Sequence, residues 1–255
     1  MSRADTLAHY LLRSLNKAQR HYRLFEDGDR VLVAVSGGKD SMTLLDLLHR
    51  RQTTGPERLE LHAGHIVDDS HCGQAVPEPW LAQWCAERAI PLHLAPPSNT
   101  ERPTLSPRNP CFWCAWSRRK ALFEMAKRVS CRTLAFGHHA DDVAETTLMN
   151  LLYSGRVDTM QARSELFDGD LLLIRPLAFV EERDIRDYVR ASEYPLEGEP
   201  CPEGAQSRRA FVKRVLREAE TQHHDVKRSM YSALQRAGKL ACAQNEVRAG
   251  GDDPR

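Results

Sequence analysis

No stretch of the 255-residue sequence approaches the ~20 consecutive apolar residues that a bilayer-spanning helix needs, so no membrane partner is expected. Charge of either sign is not in excess either. The 36 lysines and arginines stand against 35 aspartates and glutamates, a formal net charge of +1. Bulk charge therefore does not announce a nucleic-acid binder, and that function has to be sought in local clusters. Behind Met1-Ser2-Arg3-Ala4-Asp5 there is no apolar signal-peptide core, and a cytoplasmic location is expected. Seven cysteines are an odd number in that compartment, which argues against a disulfide framework and for metal binding, catalysis or buried thiols. No internal repeat is visible.

What is present is an alternation of strand-like and helix-like segments. Leu7, Tyr10, Leu11, Leu15 and Ala18 recur at helical spacing over residues 4–22. After Gly28-Asp29 the run Val31-Leu32-Val33-Ala34-Val35 is continuously apolar, as in a strand covered on both faces. Further strands are expected at 59–67, 91–94, 133–137 and 171–174. One helix is expected directly after the loop at 36–39, with Met42, Leu44, Leu45, Leu47 and Leu48 as its apolar positions. Others are expected at 79–89, 113–129, 142–153, 181–191, 207–220 and 224–236, with a proline-rich loop at 97–110. The alternation predicts an α/β fold with a doubly wound parallel sheet, whose ligands sit beyond the carboxyl ends of the strands. Residues 36–41, 68–69 and 137–142 all follow strand ends and are the site candidates.

The loop Ser36-Gly37-Gly38-Lys39-Asp40-Ser41 is suited to phosphate. Its glycines permit positive φ and a close backbone approach to an anion. The helix that follows offers N–H groups and a favourable dipole, Lys39 a point charge, Ser36 and Ser41 hydroxyl donors. Neither G-x-x-x-x-G-K-[ST] nor G-x-G-x-x-G occurs. A tight Gly-Gly turn with Asp40 or Ser41 capping a helix is the purely structural alternative. The loop, with Val35 before it, resembles the PP-loop of the ATP-pyrophosphatase superfamily, whose members split ATP into pyrophosphate and an adenylated intermediate.

About a hundred residues later, Gly137-His138-His139-Ala140-Asp141-Asp142 puts two histidines and two carboxylates at another strand end. Asp142, Glu145 and Thr146 share a helix face, and Asp142 with Glu145 would also serve as a capping box. PP-loop enzymes that modify tRNA carry a similar G-H-H-x-D-D segment bordering nucleotide and magnesium. That resemblance makes Gly137 part of the nucleotide site. It makes Lys39, Asp40 and Asp142 the catalytic candidates, and Asp40 and Asp142 the candidate Mg²⁺ ligands, with Asp141 behind them. At least one of His138 and His139 is expected to be simply packed.

Cys111-Phe112-Trp113-Cys114 is compatible with zinc, iron–sulfur or thiol chemistry, and no second C-x-x-C completes a zinc site. Cys72, Cys85, Cys131 and Cys242 read as structural or incidental. Cys201 stands apart, in the loop Gly198-Glu199-Pro200-Cys201-Pro202 ahead of a basic helix. With it the resemblance narrows to the tRNA 2-thiocytidine synthetase family and covers most of the chain. Gly28-Asp29-Arg30, the PP-loop, Cys111-x-x-Cys114 with Arg118-Arg119, Gly137-His138-His139-x-Asp141-Asp142, Asn150-x-x-Tyr153-x-Gly155, Arg175-Pro176-Leu177 and Pro200-Cys201 carry it. The family holds a [4Fe–4S] cluster on three cysteines, which here would be Cys111, Cys114 and Cys201, with one iron left open for the sulfur to be transferred. Two departures stand out. Gly204 replaces the second cysteine of a family C-x-x-C, and Arg156-Val157-Asp158-Thr159-Met160 follows the family only loosely.

The resemblance implies an N-terminal helical segment (1–28), a PP-loop ATP-binding domain (29–191), a C-terminal loop and helices carrying the third cluster cysteine (192–238), and a frayed, flexible tail (239–255). It implies ATP, Mg²⁺ and a [4Fe–4S] cluster as cofactors. The expected partners are a tRNA and a sulfur donor such as a cysteine desulfurase or free sulfide, and a homodimer is allowed for. The expected reaction is adenylation of the C2 oxygen of an anticodon-loop cytidine, position 32, followed by sulfur insertion at C2. Its rivals are a uridine-directed or persulfide-type thiolase and a non-catalytic nucleotide- or metal-binding module. The basic pairs Arg118-Arg119, Lys127-Arg128, Arg208-Arg209 and Lys213-Arg214 are either solvated helix faces or phosphate contacts that position an RNA, with Trp113 and Trp116 available to stack on a base.

Overall fold

In the computed structural model, which describes residues 2–67, 74–98, 110–198 and 207–238, the first helix begins at a reciprocal cap. The Ser2 hydroxyl accepts from the Asp5 N–H at 3.1 Å, and the Asp5 carboxylate accepts from the Ser2 N–H at 3.1 Å. The elements that follow are α1 (Arg3–Tyr22), β1 (Arg30–Ala34), α2 (Lys39–Thr54), β2 (Glu60–Ile66), α3 (Glu78–Glu87), β3 (Leu92–Ala95) and α4 (Pro110–Arg128). The chain continues through β4 (Thr133–Ala135), α5 (Ala140–Ser154), β5 (Arg163–Leu166), β6 (Leu171–Ile174), α6 (Glu182–Ala191), α7 (Arg208–Gln222) and α8 (Val226–Arg236). Asp68, Asp69, Cys72, Cys201, Cys242, most of the proline-rich loop and residues 239–255 fall outside the described residues, as does the side chain of Cys111.

The six strands lie in the order β3-β2-β1-β4-β6-β5. All neighbours pair parallel except β5, which runs antiparallel to β6. From β1 the chain winds outward to β2 and β3 and then crosses to β4, so the order reverses between β1 and β4. That is where an open α/β sheet holds its ligand. The apolar run at 31–35 is explained by two cores. Val31, Val33 and Val35 face one cluster with α1, α2 and α6, while Leu32 and Ala34 face a second one built on Leu122, Met125 and Ala126 of α4.

The doubly wound sheet is as expected, with one strand the sequence did not announce. Arg163-Ser164-Glu165-Leu166 lacks the apolar pattern of a covered strand because β5 is a half-buried edge. Two further differences lie at helix starts. α4 begins at Pro110 instead of 113, and α5 at Ala140, directly after His139. The terminal helices meet. The hydroxyls of Tyr22 and Tyr231 are 3.0 Å apart, and Leu234 shares the large core with Ala8 and Leu11.

Asp46 of α2 is buried beside the fully buried Tyr188 of α6, whose hydroxyl donates to it, and Arg50 Nε donates at 3.0 Å. Burial and the neighbouring carboxylate push the Tyr188 hydroxyl up to about 12, so it remains a donor. Tyr188→Phe leaves a buried carboxylate one hydrogen bond short. It is expected to lower the unfolding free energy by about 1–3 kcal/mol in urea denaturation at neutral pH.

Candidate functional site

The loop between β1 and α2 is shaped by its glycines. Gly37 has φ +81°, and a Cβ there would sit 3.0 Å from the Ala75 Cβ. Its carbonyl accepts from the Val76 N–H at 3.0 Å, pinning the loop to the segment before α3. Ser36 and Ser41 hydroxyls lie 3.2 Å apart, and Ser41 donates to the Gly38 carbonyl at 2.9 Å. Gly38 starts α2 without a side-chain cap, so the first-turn N–H groups are left to an anion. The structural alternative, capping by Asp40 or Ser41, is not what the loop does.

The strand-end segment after β4 closes on this loop. A Cβ on Gly137 would lie 2.9 Å from both the carbonyl carbon and oxygen of Asp40 and 3.0 Å from the Ser41 nitrogen. Between them opens a cavity of about 650 Å³ lined by Ser36, Asp40, Ser41, Gly137, His138 and Asp142, a size suited to a nucleotide. The buried His139 joins the two halves. Its Nε2 lies 3.6 Å from Asp40 Oδ1 and 3.4 Å from Asp142 Oδ2, so both carboxylates gather around one nitrogen. Asp142 Oδ2 also accepts from the His139 N–H at 3.0 Å, giving Asp142 rather than Glu145 the capping contact at the start of α5.

Burial alone would raise the Asp142 pKa, but His139, His138 and Arg209 bring it below the usual carboxylate range, so it is ionised at neutral pH. Among the described residues no group of three or more His, Cys, Asp or Glu forms a ready metal cage. The Asp40 and Asp142 carboxylates, gathered at one point, offer the oxygen ligands that Mg²⁺ takes while retaining several waters. Asp141, in contrast, is fully engaged in structure. Its Oδ2 accepts from the Glu182 N–H at 2.7 Å and its Oδ1 from Lys227 Nζ at 2.6 Å.

Lys39 Nζ donates to both Asp40 oxygens, at 3.0 and 2.8 Å, and lies 3.2 Å from Glu182 Oε1. Burial and the charge of Arg175 push the His138 imidazole down to about 3, so a neutral ring lines the cavity. Of the two histidines, His139 is the packed one and His138 the pocket-facing one.

Cys114 is half-buried on α4, one turn after Cys111 on the same helix. Arg118 and Leu122, one and two turns further on, line the cavity. Cys201 itself is outside the described residues, and the chain before it is described as far as Gly198. Glu197 and Gly198 line the same cavity, and Glu197 exchanges backbone hydrogen bonds with Ala75 at 2.8 and 2.9 Å. Cys85 and Cys131 are buried thiols pushed up to about 11 by their burial, as inert core cysteines are.

The basic pairs divide. Arg209 reaches Glu145 at 3.0 Å and Asp142 at 3.5 Å, and Lys213 reaches Glu182 at 3.0 Å, so both belong to the site's own charge network. Arg208 and Arg214 are exposed and lie over the rings of Tyr153 and Phe211. Trp116 is exposed and Trp113 half-buried. Glu182 is the site residue the sequence did not disclose. As the second acid of Glu181-Glu182-Arg183-Asp184 at a helix start, it reads as an ordinary dipole-favoured carboxylate.

Residues 8–220 match the family model described as the PP-loop domain. A tRNA-cytidine(32) 2-sulfurtransferase of Acinetobacter baumannii is 34% identical over 243 residues, covering 93% of this chain and 79% of its own length. The protein of the same name from Geobacter sulfurreducens is 35% identical over 226 residues, 87% of each chain. Among solved structures, the U34-tRNA thiolase NcsA from Methanococcus maripaludis with its [4Fe-4S] cluster superposes with a TM-score of 0.74 at 21% identity, covering 97% of this chain and 82% of that one. That likeness is one of fold.

Gly137→Ala inserts a methyl group against the Asp40 backbone and forces the two halves of the cavity apart. The expected result is a loss of ATP affinity of at least about 10-fold in calorimetric titration, with the circular dichroism spectrum unchanged.

Proposed function

Because the chain belongs to the PP-loop family, we propose that it is an ATP-dependent tRNA sulfurtransferase that converts an anticodon-loop cytidine, position 32, to 2-thiocytidine. The observation that carries this reading is the convergence on one cavity of four segments. These are the phosphate loop, the Gly137–Asp142 segment, the α4 turns after Cys114 and the chain three residues before Cys201. Relatives at 34–35% identity that bear the name tRNA-cytidine(32) 2-sulfurtransferase support the choice of base and position.

The chemistry follows from the residues. The uncapped N–H groups of α2 and the Ser36 and Ser41 hydroxyls hold the triphosphate. Attack of the cytidine O2 on the α-phosphorus forms the O–P bond and breaks the bond to pyrophosphate. Lys39 stabilises the charge that develops on that leaving group. Asp40 and Asp142 would hold Mg²⁺ against the phosphate oxygens, where the ion adds Lewis-acid stabilisation. The neutral His138 lines the cavity and would offer the base a hydrogen bond without competing for protons. Cys111, Cys114 and Cys201 would hold a [4Fe–4S] cluster, which would supply sulfur at the sulfide level to take the place of the activated oxygen, the oxygen departing with AMP. A donor such as a cysteine desulfurase or free sulfide would replenish it. Exposed Arg208 and Arg214 are suited to the RNA backbone.

The test is nucleoside mass spectrometry of tRNA from a deletion strain. 2-Thiocytidine is expected to disappear and to return with the wild-type gene but not with Cys111→Ala, Cys114→Ala or Cys201→Ala. Loss of a thiouridine instead would move the reading to uridine, and full activity in Cys201→Ala would discard the three-thiolate site. Anaerobically purified protein is expected to contain iron and acid-labile sulfide and to release pyrophosphate only with RNA. Thiolation without iron would point to persulfide chemistry, and binding of ATP without RNA-dependent pyrophosphate release to a non-catalytic module.

A further inference from the structure

Glu182 is 8% exposed and meets three cations. Its Oε1 lies 3.2 Å from Lys39 Nζ and 2.9 Å from Arg186 Nη2, and Lys213 Nζ reaches Oε1 at 3.2 Å and Oε2 at 3.0 Å. Its backbone is anchored as well, since its N–H donates to Asp141, which Lys227 holds in turn. The carboxylate is thus fixed from the main chain and from the side chain. Removing its charge would leave three cations facing one another.

The other partner of Lys39 is Asp40, through both oxygens. Asp40 is also the carboxylate placed on Mg²⁺ in the reading above, and oxygens given to a metal are withdrawn from an ammonium. A lysine on a flexible four-carbon stem needs a second anchor if it is to stay where the phosphates arrive. Glu182 is that anchor, and it comes from α6, a different element than the loop that carries Lys39 and Asp40.

We propose that Glu182 is a positioning residue that holds the Lys39 ammonium beside Asp40 of the phosphate loop, and is itself held by Lys213 and Arg186. The inference rests on the ATP-dependent function proposed above. It adds a link from α7, the helix that follows the Cys201 segment, to the phosphate loop. Lys213 of α7 and Lys39 of α2 share one carboxylate. Preorganising a cation in this way lowers the reorganisation needed when charge develops on the leaving group.

The experiment is a set of calorimetric titrations of the full-length protein with ATP, pyrophosphate and AMP, each with Mg²⁺. The variants are Glu182→Gln, Glu182→Asp, Lys39→Met and the Lys39→Met/Glu182→Gln pair. Glu182→Gln is expected to weaken ATP and pyrophosphate about 10-fold while AMP stays within about two-fold, the scale of one charge-assisted hydrogen bond acting on the outer phosphates. Glu182→Asp should recover part of the loss. The double variant should bind ATP no more weakly than Lys39→Met alone, because the glutamate acts through the lysine. Equal losses for AMP and ATP would make Glu182 merely structural and overturn the proposal, as would unchanged ATP affinity in Glu182→Gln or additive losses in the double variant. If the wild-type protein binds neither ATP nor pyrophosphate, the functional reading itself falls, and this inference with it.

Discussion

The backbone of Gly137 lies so close to the carbonyl of Asp40 that a methyl group would not fit between them, and the site is built outward from that contact. It exists because β1 and β4 are hydrogen-bonded neighbours, with Val31 opposite Thr133 and Val33 opposite Ala135. Two loops about a hundred residues apart therefore leave the sheet side by side at its point of reversal. One brings N–H groups, hydroxyls and an ammonium. The other brings an imidazole and a carboxylate. Neither has a complete site alone.

Electrostatics then fixes what packing has brought together. Asp141, Glu145 and Glu182 are all buried, and each is met by a cation from elsewhere in the chain: Lys227, Arg209, and Lys213 with Lys39. Burial works against the Glu182 charge, but the Lys213 hydrogen bond and the charges of Lys39 and Arg186 bring its pKa down to about 2, so it is an anion throughout the physiological range. Buried ion pairs are weak contributors to stability because desolvation offsets their attraction. Their effect here is geometric. They tie α5, α6, α7 and α8 to one another around the phosphate loop, which apolar contacts, being non-directional, would do with less definition.

The sheet and the phosphate loop were legible in the sequence, and the reason is local. A β-branched run followed by glycines, a lysine and a helix start is decided by residues adjacent in the chain. Asp142 was legible for the same reason, as a carboxylate at a strand end. The preference for Asp142 over Asp141 came from the family resemblance and not from the residues themselves. Adjacent residues of equal chemistry differ only because one points at the Glu182 N–H and Lys227, partners 41 and 86 positions away. Nor was β5 legible, since an edge strand buries too little to impose an apolar pattern. Glu182 escaped because its three cations come from α2, α6 and α7. Arg209 and Lys213 looked like surface charge until the carboxylates facing them were known. Long-range charge matching leaves no periodic trace in a sequence, whereas burial does.

The short backbone pairing between Ala75 and Glu197 has a consequence of its own. Main-chain N–H and C=O groups are common to almost every residue type, so this clasp imposes no requirement on which side chains occupy positions 75 and 197. The hydrogen bonds that bring the distal chain to the nucleotide cavity are thereby insulated from sequence drift at the two points that make them, although the Ala75 side chain also packs close to Gly37. Only proline, which lacks the N–H, would unfasten the clasp.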